Sequence, residues 1–214
     1  MRAVLCKELG MPDSLVVEEV PDLIAGAGQV LISVEACGVN FPDTLIIQGK
    51  YQFKPELPFS PGGEISGVIK QVGPDVDNLK IGDRVIAFST WGGFAEELVV
   101  DHTRTVTISD KMDYEKASAF VLTYGTSYHA LKDRAHLRKG ETLLVLGASG
   151  GVGIAAIQLG KAMGATVIAA ASNAEKLSMC KENGADHLIN YAVDDLRQCV
   201  KAITQGRGVD VIYD

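Results

Sequence analysis

The chain has 214 residues, room for one large domain or two small ones, and its 47% hydrophobic against 22% charged content suits a globular protein with a substantial core. A formal net charge of −7 argues against nucleic acid or an anionic membrane as the main partner. No uncharged apolar span is long enough to cross a bilayer, and Met1-Arg-Ala-Val-Leu-Cys-Lys-Glu8 runs straight into a strand pattern, so neither a transmembrane helix nor a signal peptide is expected.

In chain order, the first part reads as short β-prone runs: Ala3–Cys6, Leu15–Val20, Gln29–Ala36, Glu64–Val72, Asp83–Phe88 and Phe94–Val100. Gly28, Gly73-Pro74 and Gly82-Asp83 mark turns between them, a pattern that predicts a partly open, barrel-like β fold. The segment from Asn40 to Gly63 carries four prolines and predicts a rigid, irregular path rather than helix or strand. From Met112 to about Leu131 the apolar spacing turns helical, with Asp113 as its N-cap. The boundary is expected near Leu122, between a β-rich domain over residues 1–122 and a nucleotide-binding domain over 123–214.

The second part is organised around one βαβ unit. Thr142–Leu146 is a short uncharged apolar run, as in a strand covered on both faces. Then come Gly147-Ala-Ser149-Gly150-Gly151-Val152-Gly153 and a helix in which Val152, Ala155, Ala156, Leu159 and Met163 recur at helical spacing. Gly164 closes that helix, and Thr166–Ala171 is the next strand. A strand, a glycine turn, a helix and a second strand predict a parallel, right-handed unit that binds a dinucleotide. In that reading Gly147 turns the chain, Gly150 and Gly151 admit a pyrophosphate, and Gly153 brings the helix close to the sheet. The tip of the second strand, Ala171-Ser172-Asn173-Ala174-Glu175-Lys176, lacks the acid that would bind a ribose 2′-hydroxyl. Ser172, Asn173 and Lys176 suit a 2′-phosphate, hence NADP(H), although Ser172 or Asn173 also suits a helix N-cap and the two roles can coexist.

The alternation continues as helix Ala174–Asn183, Gly184, strand His187–Ile189, helix Asp194–Gln205 and strand Val209–Tyr213. A doubly wound fold has two mononucleotide halves, and the pattern reaches one strand into the second. Cys6, Cys37, Cys180 and Cys199 are scattered, as are His102, His129, His136 and His187, so the expectation is reduced thiols and no metal site.

The chain resembles the zinc-independent quinone oxidoreductase branch of the medium-chain dehydrogenase/reductase superfamily. The resemblance rests on Ala36-Cys-Gly-Val-Asn-Phe-Pro-Asp43, Leu57-Pro-Phe-Ser-Pro-Gly-Gly-Glu-Ile-Ser-Gly67, Gly82-Asp-Arg-Val85, Gly125-Thr126, Gly147 to Gly153 and Gly184-Ala-Asp186. It implies a GroES-like domain followed by a Rossmann domain, with the active site in the cleft between them. Asn40, Gly63 and Leu122 stand where zinc-dependent members of the superfamily carry metal ligands, which implies that no zinc is held. The resemblance also implies that Asn40 and Tyr51 line the substrate site, that Thr126 lies beside the nicotinamide, and that Lys176 and Tyr191 contact the 2′-phosphate. Each has a plainer role open to it: Asn40 as a loop amide, Thr126 as a core or capping residue, Tyr191 as an edge tyrosine. Leu45 stands where a second active-site tyrosine of the family falls.

The activity so implied is NADPH-dependent reduction of quinones or related conjugated carbonyls, in a cytoplasmic homodimer. A mitochondrial location, an enoyl or alkenal reductase, and a non-catalytic nucleotide-binding form are the alternatives. Family members run about half as long again, so residues 1–214 alone are expected to bind adenosine phosphate, turn over little and lean on a dimer or partner contact.

Overall fold

Alternating Val, Ile and Leu positions build the first sheet in the computed structural model, which describes residues 1–214. Strands β3 (Gln29–Gly38), β4 (Glu64–Val72), β5 (Arg84–Phe88), β6 (Glu97–Asp101) and β7 (Thr105–Thr107) pair antiparallel in the order β6-β3-β4-β5-β7. Their inward residues, among them Val30, Ile32, Ile65, Ile69, Val85 and Leu98, form one core. The hairpin of β1 (Arg2–Leu5) and β2 (Val16–Glu19) joins this body through Val4 N–H to Phe94 O at 2.8 Å and an Ala3–Ala95 bridge.

Three expectations need correction here. The proline-rich segment does contain a helix, α1 (Phe41–Ile46). Pro42 sits in its first turn, where a backbone N–H has no intrahelical partner to lose. The Asn40 N–H also donates to Asp43 Oδ2 at 2.7 Å, closing the turn. Beyond it, residues 48–63 hold no helix or strand except a bridge from Phe59 to Cys6. The strand expected over Phe94–Val100 starts only at Glu97, because Gly93 and Phe94 donate to Gly62 O and Pro61 O instead. The stretch expected to be helical from Met112 is broken. Asp113 caps a short α2 (Tyr114–Ala117), and Val121–Arg134 follows as loosely wound π-type turns around α3 (Thr126–Tyr128).

The chain divides into two units, Met1–Val121 and Leu122–Asp214. In the second, β8 (Thr142–Val145), β9 (Thr166–Ala171), β10 (His187–Asn190) and β11 (Val211–Tyr213) are parallel in the order β10-β9-β8-β11. Side-chain alternation feeds both faces. Leu143, Val145, Val167 and Ala169 pack with α4 (Gly151–Ala162) and α5 (Ala174–Glu182), whereas Leu144, Ile168, Ala170 and Ile189 pack with α6 (Leu196–Ile203). This is the expected doubly wound arrangement. The chain steps outward from β8 to β9 to β10, then returns to the other side of β8, so the strand order reverses between β8 and β11. Ligands of such sheets bind at the carboxyl ends of the strands flanking that reversal.

Candidate functional site

At the carboxyl end of β8 the backbone turns through Gly147, whose φ of +56° lies in the left-handed region that glycine enters without strain. The loop is closed by Gly150 N–H to Gly147 O at 3.0 Å and fastened to the neighbouring strand by Ala148 N–H to Ala170 O at 3.1 Å. Helix α4 begins at Gly151 with Gly150 as N-cap, and its first-turn N–H groups have no intrahelical acceptors.

The glycines differ in what surrounds them. A Cβ on Gly153 would lie 2.7 Å from both Gly147 O and Ala148 O, so this position is closed by the loop's own carbonyls. A Cβ on Gly150 would meet only Gly147 O at 3.4 Å, and one on Gly151 only the Thr123 methyl at 3.3 Å. Close contact of α4 with the sheet falls instead at Gly160, where a Cβ would sit 2.7 Å from Leu143 Cδ2. The helix-to-sheet approach expected of Gly153 is therefore made one helical stretch further on.

Val152 and Ser149 are half-buried in this loop. Ser127, fully buried, places its Oγ 2.9 Å from Thr123 O, 3.0 Å from Val152 O and 3.1 Å from Tyr213 Oη. It thereby ties the turn carrying Thr126 to the first turn of α4 and to the end of β11. Thr126 itself is exposed. Nothing in the sequence marks Ser127, since a Thr-Ser pair does not show which hydroxyl the fold buries.

At the end of β9 the side chains assigned to a 2′-phosphate lie together. Asn173 Oδ1 accepts the Lys176 N–H at 2.9 Å and caps α5, while Lys176 Nζ donates to Ser172 Oγ at 3.2 Å. Tyr191 joins the same corner through its N–H to Ala171 O at 3.1 Å, with its ring about half exposed. Of the two residues offered as the cap, Asn173 takes it, and Ser172 meets the Lys176 ammonium.

Asn40 and Tyr51 belong to the first unit, and no hydrogen bond joins them. Asn40 lies between β3 and α1 and donates from Nδ2 to Glu64 Oε2 at 3.1 Å. Tyr51 packs against Cys6, Ile46, Ile47 and Phe59, its ring 5.9 Å from that of Phe53. Leu45 is half-buried on α1. Around Asn40 stand two buried carboxylates given no role from the sequence, Glu64 and Asp43. Burial raises the Asp43 pKa, and the N–H groups of Asn40, Gly62 and Gly63 only partly offset it. Nearby, Cys37 is pushed up to about 12 by burial and by the Asp43 charge, which keeps the thiol protonated and unreactive.

Residues 151–214 match the zinc-binding dehydrogenase family, and residues 26–110 match the alcohol dehydrogenase GroES-like domain. A probable oxidoreductase from Mycobacterium abscessus superposes with a TM-score of 0.93 at 40% identity, covering 100% of this chain and 69% of its own. The chain belongs to the quinone oxidoreductase branch of the medium-chain dehydrogenase/reductase superfamily. Within that branch, the quinone oxidoreductase-like protein 2 homolog of Nematostella vectensis is 42% identical over this whole chain. This chain spans 58% of that relative's length. The Escherichia coli quinone oxidoreductase complexed with NADPH gives a TM-score of 0.94 at 31% identity, over 100% of this chain and 66% of that one.

Proposed function

We propose that this protein is an NADPH-dependent oxidoreductase that reduces quinones or related conjugated carbonyls without a metal ion. One observation carries the reading: at the end of β9, Lys176 Nζ stands 3.2 Å from Ser172 Oγ, a cation and a hydroxyl where an NAD site would place a carboxylate. The glycine loop fits the same ligand, since Gly150 and Gly151 have almost nothing packed where a side chain would project. The bound cofactor supplies the hydride. Lys176 and Ser172 hold its 2′-phosphate, Tyr191 flanks the adenosine end, and the first turn of α4 offers N–H groups to the pyrophosphate. Asn40 donates an amide N–H to the substrate carbonyl, where negative charge develops, and Tyr51 supplies a hydroxyl or a ring face. Thr126 contributes its hydroxyl at the nicotinamide.

Independence from zinc is supported by side-chain chemistry. No group of three or more His, Cys, Asp or Glu side chains is arranged to hold a metal ion, and Asn40, Gly63 and Leu122 are non-ligands. We further propose a homodimer in the cytoplasm. Four free cysteines suit a reducing compartment.

The deciding test is a titration of NADPH against NADH, repeated on Lys176→Ala. NADPH should bind more tightly, and the variant should lose on the order of 1.5–3 kcal/mol of NADPH affinity while NADH is little changed. Equal affinities for the two nucleotides would overturn the reading.

A further inference from the structure

Glu64 is 0% exposed, at the first position of β4, directly after the Pro61-Gly62-Gly63 turn. A carboxylate is an acceptor only, whereas a primary amide has a donor end and an acceptor end of nearly equal size. With Glu64 Oε2 3.1 Å from Asn40 Nδ2, the amide nitrogen must face the carboxylate, and Asn40 Oδ1 must face away. A flipped amide would set two acceptors against each other in a buried site, at the cost of an unsatisfied buried group. The Asn40 backbone is fixed independently, by its N–H to Asp43 Oδ2 at 2.7 Å and by Asp43 N–H to Asn40 O at 3.0 Å. Crowding is tight on the remaining side: a Cβ at Gly38 would lie 3.4 Å from Asn40 Nδ2 and 2.3 Å from Ser118 O. The side chain is thus set in position by α1 and in orientation by β4.

We propose that Glu64 is a positioning residue: its buried carboxylate selects one of the two orientations of the Asn40 amide and so aims the second Nδ2–H of Asn40 at the substrate carbonyl. The two N–H bonds of an amide diverge in one plane. Fixing the first on Glu64 therefore fixes the direction of the second. The inference rests on the reading of Asn40 as a substrate contact. Glu64 itself touches no reacting atom and acts through geometry. The substrate class that gains most is one whose carbonyl oxygen becomes anionic on hydride addition, because only a pre-aimed donor stabilises that charge without reorganisation.

The experiment uses Glu64→Gln, which keeps the volume but lets either end of the new amide face Asn40, and Glu64→Asp, which keeps the acceptor-only chemistry. The first readout is the Asn40 side-chain NH2 signal in 15N-resolved NMR, assigned by its loss in Asn40→Asp. Its nitrogen and proton shifts should be the same in the parent protein and in Glu64→Asp, and should move and broaden in Glu64→Gln, where two orientations of the whole amide are populated. The second readout is turnover of NADPH with 1,2-naphthoquinone. Glu64→Gln should lose roughly tenfold in kcat with KM little changed, and Glu64→Asp should recover most of it. An unchanged Asn40 signal in Glu64→Gln overturns the proposal, as does a changed signal with unchanged kcat. If Asn40→Ala turns over like the parent protein, it is the role of Asn40 that fails, while the NMR signal still reports whether Glu64 orients it. Should Glu64→Gln fail to fold, a parent-like signal and kcat in Glu64→Asp support the proposal, and a shifted, broadened signal there overturns it.

Discussion

Gly150 and Gly153 stand three residues apart in one loop, yet an alanine at each meets different surroundings. At Gly153 the new methyl would press on two backbone oxygens 2.7 Å away, which no side-chain movement can relieve. Gly153→Ala should lower the stability of the second unit by about 1–3 kcal/mol, read from urea unfolding, and weaken nucleotide binding along with it. Gly150 has φ −73° and ψ 162°, a conformation alanine adopts freely, with 3.4 Å to its nearest neighbour. Gly150→Ala should therefore leave the fold within about 1 kcal/mol of the parent, the loss of unfolded-state freedom offsetting alanine's poorer fit at the N-cap of α4. It should still bind NADPH more weakly by roughly tenfold, ~1.4 kcal/mol, because the methyl occupies the space assigned to the pyrophosphate. Parent-like NADPH affinity in Gly150→Ala would remove the pyrophosphate from this loop. The dinucleotide turn was legible in the sequence because its glycines are bracketed by an uncharged run and a helical period. The environment of Glu64 was not, since an acid opening an apolar strand says nothing of what it faces once the chain has folded.

Among the elements, β5 carries a tie that its sequence pattern hides. Arg84 donates from Nη2 to Met112 O at 2.7 Å, from Nη1 to Ser109 O at 3.0 Å and from Nε to the Tyr114 hydroxyl at 3.0 Å, with its guanidinium 4.4 Å from the Tyr114 ring centre. One planar fork thus holds the entire approach to α2. Lysine keeps the charge but offers a single tetrahedral head that cannot reach three acceptors or stack on the ring. Arg84→Lys should cost roughly 1–3 kcal/mol in urea unfolding of the first unit, and a parent-like curve would show the tie to be incidental. Strands β8 and β9 were readable as strands because both faces are covered, which leaves no charged position to confuse the pattern. Helix α1 was not: its Pro42 counts against a helix everywhere except in the first turn, and the register of that turn is set by Asp43, three residues from Asn40. The π-type turns of Val121–Arg134 share their apolar spacing with an ordinary helix, so periodicity alone does not separate them.

At the scale of the whole molecule, one carboxyl in each unit, Asp186 and Asp43, answers acid in the opposite sense to the other. In the second, burial opposes ionisation of Asp186, but the Lys161 ammonium at 2.7 Å and the Val167 N–H at 2.7 Å together hold its pKa below 3.8. A depressed carboxyl stabilises the fold above its unfolded value of 3.8, and that contribution is lost as pH falls through the folded value. In the first unit Asp43 is raised, so its folded form takes up a proton ahead of the unfolded chain, and its contribution grows as pH falls toward 3.8. Asp186→Asn should unfold more readily than the parent near neutral pH, with the gap closing below pH 3.8. A gap that stays constant across urea unfolding at pH 3 to 7 would assign Asp186 a pH-independent role. The reversal of strand order has a separate consequence, for the time course of assembly. Leaving the ribosome amino end first, the chain completes β8, α4 and β9, and with them the glycine loop and the Ser172–Lys176 corner, while β11 is still unmade. Strand β11 must then close a loop back to β8, across the 68 residues that separate Thr142 from Asp210, whose N–H and carboxylate meet at 2.7 Å. Contacts of such span are slow to form. The corner proposed to hold the 2′-phosphate is thus formed before β11 joins the sheet, and on that proposal a nucleotide captured there would brace the strands still to come.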